Sequence, residues 1–415
     1  MKRLLKIVLF VGVSLLLSCR NNTVVRDTEP IYTPRYAKGF SIEEDKSTGE
    51  KLLRIKNPWQ GAENICYYHT IDTLAPPQRI VAMSSSHAAM LDAIGCADHI
   101  VGLSGCRFIY NANLCQKIAK GEIGEVGYDS AFDFEKIRAL NANVVLLYGV
   151  AGEEKTMTDK LNELHIPYIY IGDYLENDPL GKAEWVVALA YLCGVAEEGK
   201  EFFAGVEERY NALRNQKHCS AYKPRVMLNL PYRDTWFMPP QGSYMVRLIE
   251  DAGGEYILTE NGKRKTENET DAKPRGEDKF ICTMPRREGG KALEEGLKRK
   301  TENEKFSTLN SQLSTKSTPI SLEEALVLAM KADFWINLGQ VASLEELCAT
   351  VPRFAKVDAV RFGRIYNNTK RTNESRGSDF WESGTIRPDL ILEDLINILH
   401  HEAKTDKLHY YKKLE

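Results

Sequence analysis

Apolar residues in this chain come in two arrangements that alternate over most of its length. Short unbroken runs, such as Ile80 to Met83, Ile100 to Leu103, Val144 to Leu147 and Tyr168 to Ile171, are β-branched and match buried strands. Between them apolar positions recur at helical spacing, as in Ala88, Leu91 and Ile94, which stop at Gly95. Phe134 to Leu140 and Lys155 to Leu164 read as further helices. Strand and helix in strict alternation predict parallel βα units. The construction returns after Pro224, with strands at Val226 to Leu228, Phe334 to Asn337 and Ile365 to Tyr366. Its helices are expected at Tyr244 to Ala252, Leu322 to Ala332, Ser343 to Ala349 and Asp389 to Leu399. The predicted fold class is α/β, with two Rossmann-like lobes, a parallel sheet in each, and a cleft between them.

The connection between the lobes is itself helical. Asp178-Pro179 sets a capping side chain before a proline at the first helical position, and that helix runs to about Leu192. A second helix resumes at Ala196 with Phe202, Phe203, Val206, Tyr210 and Leu213 at helical spacing. About twenty residues at 1.5 Å each span roughly 30 Å, so this single long helix can act as a strut. Before the first lobe, Leu52 to Ile55 and Tyr67-Tyr68 alternate as strands around the turn-like Asn57-Pro58, which predicts a small antiparallel prelude. One stretch breaks the rhythm. Residues 259–316 are densely charged and poor in apolar side chains, and Lys263 to Glu269 recurs word for word as Lys298 to Glu304. With no shared apolar pattern between the copies, the stretch reads as a disordered insertion.

The amino terminus points outward from the cell. Lys2, Arg3 and Lys6 precede an apolar run from Ile7 to Leu17, too short to cross a hydrocarbon core of about 30 Å and therefore an export signal. Leu16-Leu17-Ser18-Cys19 resembles the lipobox of bacterial lipoproteins, which implies cleavage after residue 18 and acylation of Cys19. The parts are then a signal at 1–18, a tether at 19–35 and the prelude at 36–76. They are followed by the first lobe at 77–195, the linking helix at 196–217 and the second lobe at 224–400, which carries the insertion. A net charge of −3 gives no long-range attraction for nucleic acid. Eight cysteines besides Cys19 match no zinc spacing, and Cys106 and Cys115 are near enough in sequence to bridge a loop.

Two lobes joined by a long helix behind such a signal resemble the class III periplasmic substrate-binding lipoproteins of ABC importers for iron siderophores, haem and cobalamin. The resemblance is carried by Arg79 to Ser84, Met90 to Gly95 with Val101-Gly102, and Phe134 to Leu146, which is similar to a signature helix and strand of that family. Two departures stand there: Ala142-Asn143 replaces the usual Pro-Asp, and Ala89 a frequent glutamate. The family implies no enzymatic activity and no cofactor of its own. It implies a periplasmic, lipid-anchored monomer that captures a metal chelate, ferric siderophore first, and delivers it to permease and ATPase subunits. Permease docking by one glutamate per lobe is implied for Glu135 and Glu250.

Open α/β sheets hold ligands at the carboxyl ends of their strands. Loops reaching that place carry the ligand-binding candidates Ser86, His87, Arg107, Tyr128, Tyr148, Arg233, Trp236, Arg371, Asp379, Trp381 and Arg387. Aromatic walls suit large chelates, and arginines suit anionic ones. Cobalamin or haem is the alternative ligand within the same fold. A tetrapyrrole chelatase is the rival from another class; it would need His87 and carboxylates converging on one cleft face.

Overall fold

The computed structural model describes residues 26–63, 65–128, 131–149, 155–216, 222–258, 317–401 and 403–415. The signal, Cys19 and the insertion read at 259–316 lie outside the described residues. The first element is an antiparallel sheet of β1 (Thr28–Tyr32), β2 (Phe40–Asp45), β3 (Lys51–Lys56) and β4 (Cys66–Thr70), in that order. β1 falls within the stretch expected to be tether. It is an edge strand whose Glu29, Pro30 and Ile31 are exposed, so pairing with β2 holds it and no apolar period marks it.

The first lobe runs through β5 (Ile80–Ala82), α1 (Ser85–Ala93), β6 (Ile100–Leu103), α2 (Ala112–Ala119) and β7 (Gly124–Glu125). It continues with the hairpin β8 (Gly127–Tyr128) and β9 (Ala131–Phe132), α3 (Phe134–Ala139), β10 (Val144–Leu147), α4 (Lys155–Glu163) and β11 (Tyr168–Tyr170). Its sheet has the order β11-β10-β5-β6-β7, with every pair parallel. Strands buried on both faces read as continuous apolar runs, which is why three or four residues sufficed to reveal β5, β6, β10 and β11.

The chain then crosses on α5 (Pro179–Leu192) and α6 (Ala196–Arg214). All fourteen residues of α5 are buried, the charged Lys182 and Glu184 among them. It packs against α1 in the first lobe and against helices of the second. The long helix α6 lies along α5 at close range: a Cβ on Gly199 would meet the Ala190 Cβ at 2.3 Å. Only a glycine fits there.

The second lobe comprises β12 (Arg225–Leu228), β13 (Thr235–Met238), α7 (Tyr244–Asp251), β14 (Glu255–Tyr256), β15 (Thr318–Ser321), α8 (Leu322–Ala329) and β16 (Phe334–Ile336). After these come α9 (Leu344–Thr350), α10 (Asp358–Arg361), β17 (Ile365–Asn367), α11 (Pro388–His401) and β18 (Lys412–Lys413). The sheet order is β14-β12-β16-β17-β18, parallel except for β18. The lobe therefore extends past residue 400, where it was expected to end: Leu408, Tyr410, Tyr411 and Leu414 are buried in it. Arg209 on α6 ion-pairs at 2.8 Å with Asp389 on α11, tying the strut to this lobe.

Candidate functional site

Carboxyl ends of parallel strands from both lobes deliver loops to one seam. In the first lobe, Ser84 caps α1 by accepting from the Ser86 amide at 3.3 Å, and its hydroxyl lies 2.9 Å from that of Ser86. The loop after β6 turns at Gly105 (φ 73°), where a Cβ would meet the Tyr128 ring at 2.7 Å. Glu125 fixes this loop by accepting from the amides of Gly105 and Cys106 at 2.9 and 2.7 Å. That places the exposed Arg107 guanidinium 4.6 Å from the Phe108 ring and 5.8 Å from the Tyr128 ring, themselves 4.9 Å apart. A cation on two aromatic faces is attracted by both ring quadrupoles. Tyr148, after β10, meets His87 and Tyr174 edge-on at 6.4 Å each.

The loop between β17 and α11 answers from the second lobe. Asn373 Nδ2 donates to the carbonyls of Arg107 and Ile109, both at 2.9 Å. Glu382 accepts from the amides of Tyr110 and Asn111, both at 2.8 Å. Backbones approach so closely that a Cβ on Gly377 would lie 1.9 Å from the Phe108 carbonyl oxygen. The lobes are thus clasped through Arg107 to Asn111. Burial pushes the Glu382 carboxyl up to about 7; the two amides oppose this, and the charges of Asp379 and Asp92 add to it. Arg371 lies 5.2 Å from the Tyr110 ring and pairs with Asp379 at 2.6 Å, so the clasp also sets a second arginine against an aromatic face.

These contacts sort the residues expected at the cleft. Arg107, Tyr128 and Arg371 come together around the clasp, and Tyr148 stays half-exposed on the first lobe. Arg233 is exposed on the loop after β12, 5.3 Å from the Tyr232 ring. Six others are buried or half-buried. Trp236 is fully buried, donates to the Leu228 carbonyl at 3.0 Å and packs 5.4 Å from both Trp335 and Phe354. Asp379 is buried under Arg371, with which it ion-pairs. Arg387 is engaged by both oxygens of Asp389 at 2.9 and 2.8 Å. Ser86 is buried at the start of α1, and His87 has no exposed surface. Trp381 is half-buried edge-on to Phe380 at 4.7 Å. Cys106 and Cys115 do not bridge: their thiols point separately to the carbonyls of Leu103 and Ile109.

His87 belongs to a buried polar cluster beneath the cleft floor, with its Nε2 3.6 Å from Asp173. Burial raises the Asp173 carboxyl, but His87 and Lys182 more than offset this and hold it below its usual range. Burial pulls the Lys182 amine below its ordinary value against the pull of Asp173 and Glu176. Lys182 also lies 5.2 Å from the Tyr244 ring on α7, so the cluster reaches the second lobe. His87 itself is sealed from solvent. Glu382, Asn373 and Gly377 fall in the stretch from Arg371 to Arg387 that reaches the cleft, but no signal in the sequence singles them out. Their role depends on a partner loop some 270 positions away.

Comparison with known proteins agrees with this geometry. Residues 80–273 match the family described as periplasmic binding protein. An uncharacterised lipoprotein of Methanocaldococcus jannaschii is 26% identical over 349 residues, covering 81% of this chain and 69% of the relative. A periplasmic haem-binding protein of Pseudomonas aeruginosa shares the fold with a TM-score of 0.52 at 15% identity, over 82% of this chain and 98% of that one. A possible iron-binding periplasmic solute-binding protein of Staphylococcus epidermidis does so with a TM-score of 0.51 at 12% identity, over 78% and 98%. Among the described residues no helix is long and apolar enough to cross a membrane. Over 80–273 the chain is thus similar to the periplasmic binding protein family, and it shares the fold of solved periplasmic binding proteins.

Proposed function

We propose that this protein is the solute-binding component of an ABC importer that captures an anionic metal chelate, a ferric siderophore in the first instance, between its lobes. The observation that carries the reading is the Arg107 guanidinium stacked on Phe108 and Tyr128, with no carboxylate partner among the described residues. An arginine that stays charged at any pH, backed by aromatic rings, suits a large anionic ligand with planar or apolar edges. Arg233, exposed on the opposite lobe and likewise without a carboxylate partner among the described residues, offers a second positive contact. Haem is the second reading, favoured by the aromatic faces of Phe108, Tyr128 and Tyr148; cobalamin would use the same walls. Catalysis of a chelatase kind finds little support, because His87 is sealed against Asp173.

Titration of the metal-free protein with ferric siderophores, haem and cobalamin, followed by tryptophan quenching, is expected to give saturable binding to one of them. Arg107→Ala should weaken that binding at least tenfold. No response to any of the three ligands would overturn the ligand class.

The same reading assigns Glu135 and Glu250 to permease docking and Cys19 to lipid attachment. Glu135 is exposed in the first turn of α3, and Glu250 is exposed near the end of α7, one on each lobe. Charge-assisted contacts from two separated carboxylates fix orientation on arginine clusters. Transport by Glu135→Ala plus Glu250→Ala should fall tenfold or more while ligand affinity stays unchanged; equal transport would refute the assignment.

A further inference from the structure

Cys96, His99 and Cys193 converge at the end of α1 remote from the cleft. Their three donor atoms, two thiol sulfurs and one imidazole nitrogen, lie within 4.8 Å of one another. Cys96 and Cys193 are buried, and the Nδ1 of His99 is buried with no hydrogen-bond partner. An orphaned buried ring nitrogen costs free energy that some partner ordinarily recovers.

The backbone around these residues favours a cation. Helix α1 ends at Gly95 (φ 74°), with the Cys96 amide donating back to Leu91 at 2.8 Å. Helix α5 ends likewise at Gly194 (φ 76°), just after Cys193, with the Val195 amide donating to Ala190 at 2.9 Å. Both sulfurs therefore sit where helices terminate in the αL manner, and the negative ends of two helix dipoles meet there. Glu198, in the first turn of α6, adds negative charge that acts on Cys96.

We propose that Cys96, His99 and Cys193 form a binding site for a zinc-class d10 cation, distinct from the chelate cleft and pinning the ends of α1 and α5. Two thiolates and an imidazole are the donors such an ion prefers, and water would take the fourth position. Binding releases the two thiol protons and involves no electron transfer. A disulfide between Cys96 and Cys193 would account for two of the groups and leave the His99 nitrogen unpartnered; the metal accounts for all three. Sequence spacing hides the site, because Cys193 arrives from a helix almost a hundred positions after Cys96.

The test uses the full chain, prepared under reducing, metal-free conditions. Zinc chloride should bind with one-to-one stoichiometry and raise the melting temperature. Cobalt(II) should give thiolate-to-metal charge-transfer absorption that Cys193→Ser reduces by half or more and Cys96→Ser plus Cys193→Ser abolishes. His99→Gln changes a partly exposed residue and should fold normally, so a tenfold or greater loss of zinc affinity in that variant separates ligation from packing. Unchanged affinity in His99→Gln, absence of the cobalt band, or a Cys96–Cys193 disulfide in protein isolated from an exporting host without reductant would each overturn the proposal. Chelate binding in the cleft is measured separately and can fail or succeed independently.

Discussion

Glu184→Ala is expected to unfasten the amino-terminal sheet from the lobes. The Glu184 carboxylate is fully buried on α5 and satisfies four donors at once. One oxygen accepts from the Tyr32 hydroxyl at 2.7 Å and the Arg35 amide at 2.9 Å; the other accepts from the amides of Tyr36 and Ala37 at 2.9 and 2.8 Å. Removing it leaves three amides without an acceptor, at about 1–3 kcal/mol for each one that water cannot reach. Because Arg35 is itself exposed, the total expected is on the order of 4 kcal/mol, a large share of the 5–15 kcal/mol that holds a typical domain. Glu184→Gln should lose about half as much, since its single carbonyl oxygen can still serve one pair of donors. Hydrogen exchange at residues 35–37 should accelerate strongly in Glu184→Ala, and the melting temperature should drop by several degrees. Protection unchanged at these amides would show that Glu176, which accepts from the amides of Lys38 and Gly39 at 2.8 and 2.9 Å, suffices alone.

Glu382 should make the clasp between the lobes sensitive to pH. Its carboxyl is raised by burial from the ordinary glutamate range to about 7. A raised acid binds its proton more tightly in the folded than in the unfolded state. Its stabilising contribution is therefore complete below the ordinary value near 4.5 and is lost as pH climbs through about 7. The shift corresponds to an effect on the order of 3 kcal/mol across that window. Glu382→Gln cannot titrate, so its melting temperature should be flatter than the wild type's between pH 5 and 8. It should also be lower at pH 5, because the amide nitrogen faces one of the two donors from Tyr110 and Asn111. Parallel melting curves for the two proteins across that range would remove Glu382 as the source. The groups facing it, Asp379, Asp92 and through Asp379 the Arg371 guanidinium, are left in place by the substitution, which isolates the one carboxyl.

Both residues illustrate what a linear reading can and cannot reach. Strands such as Val144 to Leu147 were legible as unbroken apolar runs, and the helix Pro179–Leu192 from its capping Asp178 and first-turn Pro179, signals that need no partner in view. Edge strand β1 was not legible, since its stability comes from ladder hydrogen bonds to β2 and leaves no apolar signature. Trp236 and His87 were placed at the cleft because aromatic and imidazole side chains on strand-end loops suit a ligand. The fold instead spends Trp236 on a three-ring core with Trp335 and Phe354, and His87 on the charge of Asp173.

The amino-acid sequence by itself determined the two α/β lobes, the helical crossing between them and the presence of arginines and aromatics on the loops at one end of each sheet. These are local properties, written in spacing, capping residues and composition. Tertiary structure alone decided which of those side chains face the cleft, that Glu382 and Asn373 clasp it, that Glu184 holds the amino-terminal sheet, and that Cys96, His99 and Cys193 meet. Each of these depends on atoms from distant segments approaching within a few ångströms. Hydrogen bonds, ion pairs and metal ligation act only over such distances, so no pattern along the chain records them.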